Sequence, residues 1–131
     1  MALRRNNSIK RQAILDALCA SREHPSAEML YDALKADHPQ LSLGTVYRNL
    51  SGFVDDGAAV TVASVDGHLR YDGDVSAHAH FICRKCRRVL DLPLPFDAGK
   101  TCSKLEKDHG CSVDGFCLTF SGICPECTDQ T

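Results

Sequence analysis

The segment His78-Ala79-His80-Phe81-Ile82-Cys83-Arg84-Lys85-Cys86 sets two imidazoles beside two thiols, and Cys124-Pro125-Glu126-Cys127 supplies a second thiol pair. A two-residue spacer lets both sulfurs of each pair turn toward one ion. Four thiolates, Cys83, Cys86, Cys124 and Cys127, therefore read as a closed tetrahedral site for structural Zn2+. In a strand, residues two apart share a face, so His78 and His80 point one way while Cys83 starts from the other. Two separate metal centres are expected. The competing readings are two disulfides or a single mixed Cys/His finger. The chain opens with no apolar signal segment and carries no apolar run of membrane-spanning length. That leads us to expect a cytoplasmic protein with no membrane partner, in which paired CxxC motifs hold metal.

These ligands need elements to position them. The 131 residues suit one domain or two very small ones, and metal would compensate for the small cores of two. The formal charge is only -2, which excludes a uniformly basic coat, yet residues 1–11 hold Arg4, Arg5, Lys10 and Arg11 and no acid. That arm is either a disordered tail or a segment that lies along a phosphate backbone. From Ile9 the pattern predicts a first helix with Ser8 as cap and Ile14, Leu15, Leu18 and Cys19 on its inner face. Ser26 caps a second helix, with Leu30 and Leu34 inward and an end near Asp37-His38-Pro39. Ser42 caps a third, whose stripe of Val46, Leu50 and Phe53 leaves Thr45, Arg48 and Asn49 outward and Tyr47 beside the stripe. A helix of this kind after a short turn suits a major groove.

Residues Val60–Val65 and Leu69–Asp72 flank Asp66-Gly67, a dipeptide that favours a tight hairpin. Three helices and a hairpin describe a winged helix, against the plainer reading of a small α/β module whose third helix merely packs. The expected fold is α+β: a winged-helix DNA-binding domain over 1–72, a hinge over 73–77, and a small metal-binding dimerisation domain over 78–131 stapled by the four cysteines. In the second domain the His/Cys strand is joined by a strand at Val89–Leu92, a helix over Ala98–Lys107 and a strand at Phe116–Phe120. Its open strand edges predict a symmetric homodimer. His38, His68 and His109 read as solvated loop residues, and Cys19, Cys102, Cys111 and Cys117 receive no role.

Across nearly its whole length the sequence resembles the ferric-uptake-regulator (Fur) family of metal-dependent repressors, and within it the peroxide-sensing (PerR) branch. The resemblance rests on His24-Pro25-Ser26-Ala27-Glu28, Ser42-Leu43-Gly44-Thr45-Val46-Tyr47-Arg48-Asn49-Leu50, Arg70-Tyr71-Asp72, the His78 to Cys86 block and Gly122-Ile123-Cys124-Pro125-Glu126-Cys127. It implies a regulatory Fe2+ or Mn2+ site of His24, Asp72, His78, His80 and Asp91, a sulfur-free set that suits those ions. It also implies double-stranded DNA with a palindromic operator as partner. With Arg11, Thr45, Tyr47, Arg48 and Asn49 as candidate DNA contacts, the chain is expected to be a repressor rather than an enzyme. Iron-catalysed oxidation of His24 or His78 by peroxide is the expected signal, and an aspartate at position 91 rather than glutamate favours that branch. The alternative is an iron- or other metal-responsive repressor without peroxide chemistry. Ala77, Ala79 and Phe116 stand where many iron-sensing members offer ligands for a further site, so such a site is not expected. Outside this class, a metalloenzyme or a metal-buffering module would tolerate replacement of Tyr47 and Arg48.

Overall fold

The computed structural model describes residues 2–128, and the side chains of residues 8–128. The chain divides into two compact units, Met1–Val75 and Ser76–Thr131.

In the first unit, helix α1 spans Ala2–Ala20, α2 spans Ala27–Leu34 and α3 spans Leu43–Asp55. Helix α1 begins well before the expected start, so Ser8 is not its cap. Residues 2–11 contain no Gly or Pro to stop the helix, and Ala2, Leu3, Arg4 and Arg5 are strong helix formers. The side chains of Arg4 and Arg5 lie outside the described residues. Ile14 and Leu18 of α1 are buried as expected, but Leu15 is only half-buried and Cys19 is exposed.

The other two predicted caps form. Ser26 Oγ accepts from Met29 N at 3.2 Å, and Ser42 Oγ accepts from Thr45 N at 3.1 Å, each satisfying one of the orphan N–H groups of a first turn. Helix α2 stops at Leu34, a few residues before the expected end. Val46, Leu50 and Phe53 of α3 are fully buried against Ile14, Leu18, Leu30, Leu41 and Tyr71, which together form this unit's core.

Strands β1 (Val60–Val65) and β2 (His68–Asp72) pair antiparallel. Asp66 and Gly67 between them both take positive φ, 53° and 83°, as a type I′ turn requires. His68 is therefore not in the turn: it begins β2, opposite Val65.

In the second unit, β3 (Ala79–Cys83) lies between two neighbours. It pairs antiparallel with β4 (Val89–Leu92) and parallel with β5 (Thr119–Gly122), in the order β4-β3-β5. The last strand starts three residues later than expected, so Phe116, Cys117 and Leu118 precede it. Helix α4 (Ala98–His109) is capped by Asp97, which accepts from Lys100 N at 3.0 Å, and it ends at Gly110 with φ 69°. None of its residues is buried, and Phe96, Leu105, Phe116 and Phe120 leave much of their surface open. A final turn of helix, α5 (Pro125–Thr128), carries the last cysteine.

Candidate functional site

The four CxxC cysteines converge within the second unit. Cys83 closes β3, and the chain then folds back on itself: Arg87 N donates to Cys83 O and Cys83 N to Arg88 O, both at 2.9 Å. This tight reversal puts Arg87 at φ 65°, a conformation that favours glycine. Two backbone N–H groups, of Cys86 within the reversal and of Cys124 after β5, donate to Cys83 Sγ, each at 3.4 Å. On the other side, Cys127 N donates to Cys124 O at 3.1 Å, which rolls the second pair into one turn of helix.

The four sulfurs all lie within 4.8 Å of one another, and Cys86 Sγ is 3.8 Å from Cys124 Sγ. A tetrahedral ion with metal–sulfur bonds of about 2.3 Å needs sulfur–sulfur edges of about 3.8 Å, so the group could hold a metal ion. All four thiols are free, which sets aside the disulfide reading. The N–H groups of Cys86 and Cys124 pull the Cys83 thiol down to about 5, stabilising the thiolate that binds metal. Cys127 moves the other way, to about 12, first through its hydrogen bond with Cys124 and then through burial. Arg88 and Glu126, one beside each knuckle, form an ion pair at 2.6 Å.

His78, His80 and Asp91 form a second cluster in the same unit. His80 and Asp91 are cross-strand partners in the β3–β4 ladder, which is why the two side chains meet. Asp91 Oδ1 lies 3.0 Å from His78 Nε2 and 3.4 Å from His80 Nε2, and the two imidazole nitrogens are 3.0 Å apart. His78 Nδ1 sits 2.7 Å from Ser76 O, which can only accept, so a neutral imidazole that donates there would turn a lone pair on Nε2 toward His80 and Asp91. Converging lone pairs of this kind suit a cation, and the donors are nitrogen and oxygen rather than sulfur.

The first unit holds His24 and Asp72, with Nδ1 and Oδ2 3.4 Å apart and both side chains almost wholly buried. The segment around His24 is laid against β2: Arg70 Nε donates to His24 O at 2.9 Å, Tyr71 N donates to Pro25 O at 3.0 Å, and Ser26 bridges to Arg70. A following proline favours extended backbone with negative φ, yet His24 takes φ 51°. A left-handed, buried, non-glycine residue costs about 1–3 kcal/mol, the kind of strain that collects at functional positions. Asp72 is oriented by Asp74 N, which donates to Oδ1 at 2.8 Å.

The candidate DNA contacts lie on and beside α3. Thr45 is the hub, since its hydroxyl meets Ser42 Oγ at 2.9 Å and accepts from Arg48 Nη2 at 3.0 Å, and its carbonyl accepts from Asn49 Nδ2 at 2.9 Å. Tyr47 is exposed, and its hydroxyl donates to Glu28 Oε1 on α2. Arg11 stands apart from this group, over the Phe53 ring and 3.6 Å from Asp56 at the far end of α3. Sequence reasoning missed Glu28, because an acid in the first turn of a helix already has an ordinary explanation in the helix dipole. It also missed Arg70 as the residue that holds His24.

A sequence model described as the ferric uptake regulator family matches residues 5–120. Among known proteins, the chain is 34% identical over 131 residues to the peroxide-responsive repressor PerR of Staphylococcus saprophyticus subsp. saprophyticus. That similarity takes in 96% of this chain and 87% of the relative. Among solved structures, the Campylobacter jejuni peroxide stress regulator superposes with a TM-score of 0.78 at 30% identity, covering 92% of this chain and 90% of that one. The Vibrio cholerae ferric uptake regulator gives 0.66 at 26% identity, covering 87% and 88%.

Proposed function

This chain belongs to the ferric uptake regulator family, and from that premise we propose that it is a metal-dependent transcriptional repressor that releases DNA in response to hydrogen peroxide. Members of the family are transcriptional regulators and not enzymes. The observation that carries the reading is the cluster of His78, His80 and Asp91. It offers nitrogen and oxygen donors a few residues from Cys83 and Cys86, whose thiols belong to the separate cysteine group.

In this reading the cysteines hold Zn2+ and keep the small second unit folded. His24 and Asp72 join His78, His80 and Asp91 on one Fe2+ or Mn2+ ion, and the unit Met1–Val75 works as a winged helix that offers α3 to a major groove. Ligands drawn from both units clamp them in a DNA-binding arrangement. A hundredfold change in operator affinity needs only about 2.7 kcal/mol of coupling, modest for a site with five ligands. Phe96, Leu105, Phe116 and Phe120 leave apolar surface exposed on the second unit that a second copy would cover, and a two-fold dimer matches a palindromic operator. His24, Asp72, His78, His80 and Asp91 would hold the ferrous ion, which would supply the reducing power that activates peroxide, and His24 or His78 would be the imidazole that is oxidised. An oxidised imidazole would bind metal less well and loosen the clamp.

The test loads the protein with Fe2+ or Mn2+, measures operator binding before and after a stoichiometric dose of peroxide, and weighs the peptides. Only the iron form should release DNA, with a peptide containing His24 or His78 heavier by one oxygen. If both forms stay bound and no histidine changes mass, the chain is an iron- or other metal-responsive repressor without peroxide chemistry. The similarity to the Vibrio cholerae ferric uptake regulator favours that second reading.

A further inference from the structure

Tyr47 stands on the solvent face of α3, where a side chain that reads DNA would stand, yet its hydroxyl proton is already committed. It is donated to Glu28 Oε1, from the first turn of α2. The other carboxylate oxygen, Oε2, is shut off from solvent and lacks a hydrogen bond of good geometry, and it lies 3.3 Å from Nδ1 of His68, the first residue of β2. One carboxylate thus meets the outer face of α3 on one side and the hairpin on the other. A carboxylate oxygen that is withdrawn from water without a hydrogen bond is unfavourable, and its position needs an explanation. The helix dipole, the residue's own backbone N–H and the Ser26 cap explain an acid at this place in α2, but they do not explain why its two oxygens also reach Tyr47 and His68.

From this arrangement we infer that Glu28 is a positioning residue for DNA recognition, holding the Tyr47 side chain in one orientation on α3 and referring that orientation to the hairpin through His68. The inference rests on the DNA-binding reading given above. An exposed tyrosine would otherwise sample several rotamers, and each would have to be given up on binding. Held by Glu28, the ring is set in place before DNA arrives, and its oxygen presents lone pairs rather than a proton to the groove. The same contact raises the phenol of Tyr47, first through the hydrogen bond with Glu28, and lowers the carboxyl of Glu28.

A double-mutant cycle tests this, with duplexes that the Mn2+-loaded wild type enriches from a random-sequence pool as probe and the unselected pool as reference. Glu28→Ala and Tyr47→Phe should each lower the preference for selected over unselected duplex by about tenfold, the weight of one charge-assisted hydrogen bond. The double variant should lose no more than either single one. Glu28→Gln keeps an acceptor oxygen and should restore most of the preference, which a merely structural role for the charge would not give. Carbon NMR of labelled tyrosine should place the Tyr47 phenol lower in Glu28→Ala than in wild type. Losses that multiply in the double variant, or an unchanged preference in Glu28→Ala, overturn the inference while leaving the DNA-binding reading standing. A wild type that enriches no duplex overturns both.

Discussion

Single side chains here work against tight backbone limits. Gly73 is a clear case, because a Cβ at that position would stand 3.1 Å from Cys19 Cα and 3.2 Å from Cys19 N, atoms that cannot rotate away. Gly73→Ala should therefore destabilise the first unit by about 1–3 kcal/mol, read as a lower midpoint in urea with an unchanged slope. The Glu28–Tyr47 pair makes a prediction about pH. Glu28 has a folded pKa below its ordinary 4.5, so its contribution is fully present above that value and disappears as pH falls through the depressed one. Tyr47 is raised above its ordinary 10, so its share is present below 10 and disappears as pH rises through the raised value. The stability gap between wild type and Tyr47→Phe should be constant near neutrality and close at both extremes. A gap that persists in acid would mean that the pair does not form.

Elements carry the next level of specification. Helix α3 owes its start to Ser42, which accepts from Thr45 N and meets the Thr45 hydroxyl that in turn receives Arg48. One cap thus fixes both the first turn of the helix and the side chains on its outer face. Ser42→Ala should cost about 1 kcal/mol of stability in thermal melts. It should also weaken operator binding by more than that loss explains, since Arg48 would lose its anchor's partner. A binding loss no greater than the fraction unfolded would show that the cap serves the helix alone. Strand pairing does similar work at the candidate metal clusters, because the β3–β4 register is what sets Asp91 opposite His80. A one-residue slip would send Asp91 to the other face of the sheet.

On the scale of the whole chain, the two units differ in what holds them. The first has a core of large apolar side chains, Ile14, Leu18, Leu30, Val46, Leu50 and Phe53 among them. The buried cluster of the second consists of Cys83, Cys124 and Cys127, flanked by Phe81, Leu90 and Ile123, and α4 adds no buried residue. So small an apolar cluster offsets little of the entropy of ordering the unit, and in the reading proposed above a metal held by the cysteines supplies part of the difference. Stripping Zn2+ with a strong chelator should therefore split thermal unfolding into two transitions, the lower belonging to Ser76–Thr131, while helix signal from the first unit persists. A single transition that does not move on chelation would rule out a structural role for the cysteines. Among the described residues, no helix is long and apolar enough to cross a membrane.

Local chemistry was legible without coordinates: the two CxxC spacings, the Ser26 and Ser42 caps, the Asp66-Gly67 turn and the Val46, Leu50 and Phe53 stripe each depend on neighbours within about one or two helical turns. The start of α1 was misread, because a basic segment without an apolar stripe gives no periodicity to detect even when its residues favour helix. The late start of β5 was misread because its parallel partner, β3, lies far back in the chain, and strand limits follow the partner. Only the folded chain decided the rest. It set His24 in a left-handed conformation against β2 through Arg70 and brought Asp91 across from His80. It also turned Glu28 toward Tyr47 and His68. Those relations join residues far apart in sequence, and their geometry comes from sheet register and helix packing, which no local pattern of residues encodes.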